Sequence, residues 1–227
     1  MTGSTVTEPI ESSQRSKQSL ISHGKRPRQE VSCRGFFDRL FSRGAPFAGK
    51  TDLAFTHLHG DHYDLNLVRR FLQQNPHSTV YLPQPGDEKT AQRVQFGRFV
   101  LTAFATVHDG AAFAQVPHRS LCLQAENCQL VICGDALVHR LLAEQIQALC
   151  GDKTDAVFVN VYQIASKEGQ EFLDVLNPEH IFLYHLPFPE EDPCGYRSMA
   201  KHVAARLPEN LRRRIRIPEP MSETILF

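Results

Sequence analysis

The chain has no tryptophan, few methionines and no surplus charge of either sign, with 25 Lys and Arg against 25 Asp and Glu. A net charge of zero supplies no global field to draw in nucleic acid or an acidic membrane surface. No apolar stretch approaches the ~20 residues that span a bilayer. The N-terminus lacks the apolar core of a secretion signal, and Glu8 and Glu11 argue against a transit peptide. The 6 cysteines (Cys33, Cys122, Cys128, Cys133, Cys150 and Cys194) form no CxxC pair and no framework spacing. Several lie in apolar strand-like runs, where a thiol behaves as a small hydrophobe. Reduced thiols and a cytoplasmic protein are therefore expected.

What is present suffices for one sizeable core: 227 residues, 41% of them hydrophobic. Residues 1–32 are rich in Ser, Thr, Gln, Arg and Lys and cannot bury enough surface to offset their chain entropy. A disordered polar tail is expected there, with the folded domain over residues 33–227. The basic runs Lys25-Arg26-Pro27-Arg28 and Arg212-Arg213-Arg214-Ile215-Arg216 read as solvated surface.

Leu67, Val68, Phe71 and Leu72 recur at helical spacing between a capping Asp64 and a terminating Asn75-Pro76. Residues 138–149, 168–176 and 196–207 also read as helices. Strands are expected at 52–56, 78–82, 99–107, 120–124, 129–133, 156–162, 181–184 and 214–217. From residue 120 onward strands and helices alternate, which means helices packed on a sheet.

The dense chemistry lies in Thr56-His57-Leu58-His59-Gly60-Asp61-His62. Extended chain points His57 and His59 to the same side. Gly60 lets the backbone turn, so that Asp61 and His62 can swing back toward them. Imidazole and carboxylate together suit a borderline divalent ion such as zinc, manganese or iron. Three further strand ends carry a potential ligand: His108, Asp135 and His185. Alone, His108 reads as a structural histidine and Gly134-Asp135 as a turn. Following the histidine cluster in this order, they read as a ligand set. His118 competes with His108, and His180 with His185; His108 and His185 are preferred because each directly follows an apolar strand run.

With these residues the chain resembles the metallo-β-lactamase superfamily, whose signature is HxHxDH followed by a distant His, Asp and His. The resemblance runs from about Thr51 to the C-terminus. It implies a four-layer αββα sandwich with two divalent metal ions at one sheet edge, zinc foremost and manganese or iron as alternatives. His57, His59 and His108 would hold the first ion, and Asp61, His62 and His185 the second, with Asp135 bridging. The implied activity is hydrolysis of a small ester, lactone or phosphodiester by a metal-bridging hydroxide, with Asp61 as the catalytic residue that orients the nucleophile or takes its proton. The implied partner is a small-molecule substrate, with neither nucleic acid nor membrane.

The chain also departs from the pattern. Family members place several strands before the signature, whereas here only the tail and an aromatic stretch at 36–47 precede it. The first sheet is thus expected to be incomplete, leaving an apolar edge near residues 52–55 and a tendency to form a homo-oligomer. Thr-Val-His-Asp-Gly around His108 lacks the glycine-rich surroundings of glyoxalase-like members and is closer to the lactonase-like branch. Thr56 and Asp109 are placed in sequence to orient the imidazoles. Arg197 and Lys167 are candidates to meet an anionic substrate, with solvated surface the simpler reading. The alternatives are a non-catalytic metal-binding member and, disfavoured by neutral charge, a nuclease. A flavodiiron-type redox role is disfavoured because that pattern places a glutamate where His59 stands.

Overall fold

Two sheets face each other, and the burial of their strands assigns every layer. The computed structural model describes residues 52–60, 62–84 and 91–219. The tail expected at residues 1–32 and the ligand candidate Asp61 lie outside the described residues. Strands β1 (Leu53–Ala54) and β2 (Val80–Tyr81) pair in parallel. Between them runs α1 (Leu65–Gln74), capped by Asp64, whose carboxylate accepts from the N–H groups of Asn66 and Leu67 at 2.8 and 3.0 Å. Val68 and Phe71 on its apolar face pack against Leu53 and Phe55.

The second sheet holds seven strands in sequence order. They are β3 (Gln92–Phe96), β4 (Phe99–Thr106), β5 (His118–Ala125), β6 (Cys128–Ile132), β7 (Ala156–Val159), β8 (His180–Leu183) and β9 (Ile215–Arg216). From β3 to β6 the pairing is antiparallel, and from β6 to β9 it is parallel. Parallel neighbours need a crossover. Here α2 (Arg140–Cys150), then α3 (Val161–Ala165) with α4 (Lys167–Leu176), then α5 (Tyr196–Arg206) with α6 (Glu209–Arg212) supply one each.

Alternation along the strands separates the two faces. Leu101, Ala103 and Leu121 point toward the first sheet and pack with Tyr81 and Phe96. Phe104, Cys122, Val131, Val157 and Ile181 point the other way, against Leu142, Ile146, Phe172 and Leu176 of the helices. The layers therefore run helix, sheet, sheet, helices. This is the expected αββα order, with a first sheet of two strands among the described residues.

Three elements depart from the expectation. Strand β3 lies outside the expected strands, because its apolar alternation is limited to Val94 and Phe96 and its middle residues are exposed. The run at 156–162 stops being a strand at Val159. Asn160 caps α3 there, in a reciprocal box with Gln163 that turns the chain into helix. Four residues of α6 fall in a segment too charged to show periodicity. Among the described residues no helix is long and apolar enough to cross a membrane.

Removing the Asp64 cap by Asp64→Ala should cost about 1 kcal/mol. A lower urea midpoint with unchanged far-UV circular dichroism is the expected result.

Candidate metal centre

One edge of the second sheet collects the chemistry because of strand direction. Strand β4 ends beside the start of β5, where Thr106 pairs with His118. Strands β6, β7 and β8 run parallel and finish at that same edge. Main-chain bonds stitch the loops that follow. Asp109 N–H donates to the Asp135 carbonyl at 2.6 Å, Leu137 N–H to Val107 at 2.8 Å, and Arg119 N–H to Thr56 at 2.8 Å. The last of these ties the histidine loop of the first sheet to the second.

Asp135 stands at the centre. Its Oδ2 lies 3.6 Å from His57 Nε2, 3.5 Å from His62 Nε2, 3.8 Å from His108 Nε2 and 3.9 Å from His185 Nε2. Ligand-capable atoms of His57, His59 and His108 lie within 4.8 Å of one another, as do those of His57, His62 and Asp135. Two ligands each about 2 Å from a tetrahedral ion stand roughly 3.4 Å apart, so most of these separations suit atoms gathered around a cation. His185 stacks on His62, with their Nε2 atoms 3.1 Å apart. It reaches this position from a left-handed backbone, φ 61°, a conformation uncommon for a residue with a side chain.

The donor set passes a direct test of fit. The Nε2 atoms of His57 and His108 are buried and have no hydrogen-bond partner. Their Nδ1 atoms are engaged, His57 with the Thr56 hydroxyl at 3.0 Å and His108 with the Asp109 carbonyl at 2.6 Å. The carbonyl only accepts, so His108 carries its proton on Nδ1 and presents a bare lone pair at Nε2. A buried acceptor with no donor is costly, and a divalent ion removes that cost. The His108 lone pair and the unpartnered His57 Nε2, beside a carboxylate, are of the kind a borderline ion takes.

Charge states agree with this arrangement. Burial, then the neighbouring His62 and His118, push the His57 pKa down to about 3, leaving the ring neutral. Burial alone would raise the Asp135 carboxyl, but its hydrogen bond to His62 and the surrounding imidazoles outweigh this and hold it well below the usual range.

His118 has a different task. Its Nδ1 donates to the Thr106 hydroxyl at 2.7 Å, and its Nε2 accepts the Asp135 N–H at 2.9 Å. Both nitrogens are occupied, and the ring props the backbone of Asp135 instead of joining the cluster. Gly134 makes room for it, because a Cβ there would meet His118 Nε2 at 2.6 Å and Thr56 Cβ at 2.8 Å, on a backbone at φ 61°. From the other side Gln163 Nε2 donates to the carbonyls of Gly134 and Ala136 at 3.0 and 2.8 Å. Asn160 Nδ2 reaches Asp135 Oδ1 at 3.5 Å.

The structure thus brings together His57, His59, His62, His108, Asp135 and His185. His180 opens β8, at the end away from His185. Thr56 meets His57 through its hydroxyl, while Asp109 acts through its main chain. Arg197 is engaged by the carbonyls of Pro187 and Pro218 and by Glu219, and Lys167 pairs with Glu171 at 3.6 Å on the surface. Asn160 and Gln163 went unseen as site supports, although Asn-x-x-Gln is a readable helix-start signal.

Neither family profiles nor curated protein sequences match the chain. Among solved structures, the metallo-beta-lactamase fold protein YhfI from Bacillus subtilis aligns with a TM-score of 0.53 at 16% identity, over 80% of this chain and 81% of that one. Igni18, a metallo hydrolase from Ignicoccus hospitalis, gives 0.43 at 16% identity over 75% and 77% of the two chains. CmlA, a diiron beta-hydroxylase from Streptomyces venezuelae, gives 0.49 at 12% identity over 63% of this chain and 37% of that one. This chain therefore spans well under two thirds of the length of CmlA. The likeness to YhfI carries the fold.

Gly134→Ala should destabilise the protein by about 1–3 kcal/mol through overpacking, measured by urea unfolding. Acid should act on the metal-free protein through the two histidines held at about 3, His57 and His118. Below pH 6.5 their unfolded forms bind protons that the folded forms refuse. Stability is therefore complete above that pH and declines toward pH 3. A urea midpoint that stays flat across this window would contradict the assignment.

Proposed function

With the metallo-β-lactamase fold as its frame, we propose that this chain is a metal-dependent hydrolase of small, uncharged esters or lactones, working with two divalent ions. The observation that supports it is the pair of buried, unpartnered Nε2 atoms of His57 and His108 gathered around Asp135. His57, His59 and His108 would hold one ion, and His62, His185 and Asp61 the other, with Asp135 between them. Such ions supply a water-derived nucleophile near neutral pH and polarise the carbonyl it attacks.

The chain's own residues supply position. The Asp109 carbonyl fixes the His108 ring and the Thr56 hydroxyl that of His57. His118 and Gln163 immobilise the backbone on either side of Asp135. Asp61, within the signature loop, would orient the nucleophile or accept its proton. The rim supports this choice of substrate class. Leu58, Val107, Phe113 and Leu137 expose 41%, 52%, 44% and 48% of their surface, each within a few residues of a cluster member. Phe113 packs on the rings of His59 and His108, with centroids 5.0 and 5.2 Å away. An apolar rim favours a carbon-rich acyl group. The two cations considered for an anionic substrate, Arg197 and Lys167, are bound up with Glu219 and Glu171. This favours an ester or lactone over a phosphodiester.

Elemental analysis of protein made with ample zinc, manganese and iron should find close to two ions per chain. A panel of esters, lactones and phosphodiesters should show chelator-sensitive turnover of apolar esters or lactones. Asp61→Ala should lower that turnover at least ~100-fold, the lower end of general acid–base contributions, with circular dichroism unchanged. Metal without turnover on the whole panel would leave a non-catalytic metal binder, and protein free of metal would overturn the scheme.

A further inference from the structure

The far end of the same sheet holds a second reactive group. Strand register places Arg93, Thr102 and Cys122 side by side across β3, β4 and β5, because Arg93 pairs with Thr102 and Thr102 with Cys122. Paired residues share a face, and this row continues through Val131 and Val157, beneath the helices. Helix α2 ends over the row at Cys150, where Gly151, at φ 99°, turns the chain away. Gln124, two residues beyond Cys122 on the same face, pins this helix end by donating from Nε2 to the Cys150 carbonyl at 2.6 Å. Cys150 thereby packs against the core cluster that contains Cys122, which brings the two thiols together beneath the same helix end.

Their surroundings differ in the way a reactive pair requires. Cys122 is fully buried. Cys150 is half-buried and opens on a cavity of about 470 Å³, lined with it by Gly151, Lys153, Gln124, Cys128 and Gln129. The Thr102 hydroxyl, on the strand beside Cys122, is buried and has no hydrogen-bond partner. The hydrogen bond from Cys122, aided by Thr102 and Arg93 and opposed by burial, holds the Cys150 thiol below its ordinary value. The same hydrogen bond, then burial, raises Cys122. An accessible thiolate beside a buried thiol is the arrangement found at redox-active cysteines.

We propose that Cys150 and Cys122 form a reversible thiol–disulfide site that reacts with hydroperoxides, at the end of the sheet opposite the metal centre. The Cys150 thiolate attacks the distal oxygen of hydrogen peroxide. The O–O bond breaks, the hydroxide released takes a proton to leave as water, and Cys150 becomes a sulfenic acid. The Cys122 sulfur then attacks the Cys150 sulfur. The S–O bond breaks, the Cys122 proton leaves with the hydroxyl as a second water, and an S–S bond remains. Two thiols are oxidised by two electrons and one peroxide is reduced to two waters. A dithiol reductant reverses the result.

The full-length, reduced protein is exposed to a small excess of hydrogen peroxide, its remaining thiols are alkylated after denaturation, and it is mapped by mass spectrometry without reduction. Trypsin leaves Cys122, Cys128 and Cys133 in one peptide, residues 120–140, so fragment ions must assign the bridge. A Cys122–Cys150 link that disappears with dithiothreitol is expected, and Cys150→Ser should abolish it. In Cys122→Ser the sulfenic acid on Cys150 should persist and be trapped by dimedone. Timed alkylation of the unmodified protein at pH 7 gives a second measurement that needs no variant. Cys150 should react faster than Cys194 although it is the less exposed of the two, as an activated thiol does. A bridge from Cys150 to any other cysteine would overturn the proposal. So would the absence of a bridge together with alkylation of Cys150 no faster than that of Cys194.

Discussion

Buried ring nitrogens without a partner are the constraint around which this protein is arranged. His57 and His108 each commit one ring nitrogen to a neighbour and leave the other buried and unpartnered, close to a single carboxylate. In a metal-free protein such an arrangement is costly, because desolvated acceptors gain nothing in return. Protonation would supply donors, but burial and the adjoining imidazoles drive the His57 pKa down and keep its ring neutral. A divalent cation would satisfy these atoms together. The carboxylate matters for the same reason, since one negative charge among several imidazoles makes the cluster more favourable for a cation than the neutral rings alone.

Such a cluster persists only if the backbone beneath it cannot relax. Asp135 is held by the His118 ring on one side and by the box of Asn160 and Gln163 on the other, with Gly134 admitting the ring at close range. His118 and His108 are both buried histidines at the same sheet edge, and what separates them is the count of occupied nitrogens. A histidine with both nitrogens bonded is part of the scaffold, and one with a bare nitrogen facing a carboxylate is a ligand candidate. Burial does not distinguish them, because both are nearly inaccessible.

The same distinction explains how much was legible beforehand. The spacing His57, His59, Asp61, His62 and the positions of His108, Asp135 and His185 at strand ends could be read directly, because apolar runs announce strands and their ends fall at one edge. The main helices were legible from apolar periodicity and from caps such as Asp64. The contest between His118 and His108 was not decidable by pattern, since it turns on which partner each ring nitrogen finds after folding. Asn160 was hidden because the apolar run Ala156–Val159 continues into Val161 and Tyr162, and the capping box interrupts it only through side-chain hydrogen bonds. Strand β3 was hidden for the opposite reason: Phe96 is its single buried side chain, and the residues before it are polar or exposed.

A first sheet of two described strands is small for holding a metal-binding loop. The contacts show why it need not do so alone. Phe55 N–H bonds to the Tyr81 carbonyl within the first sheet, but the next anchor, from Arg119 N–H to the Thr56 carbonyl, belongs to the second. His57 therefore leaves a residue already fixed to β5, and its ring lies against His118, which begins that strand, at a centroid distance of 5.0 Å. His108 and Asp135 come from loops that follow β4 and β6, and His185 from the loop after β8. The seven-stranded sheet, with its continuous helix-covered core, thus supplies the rigidity of the site. The first sheet has only to deliver the histidine loop to that edge, a task that β1, β2 and α1 can perform with one small core of their own.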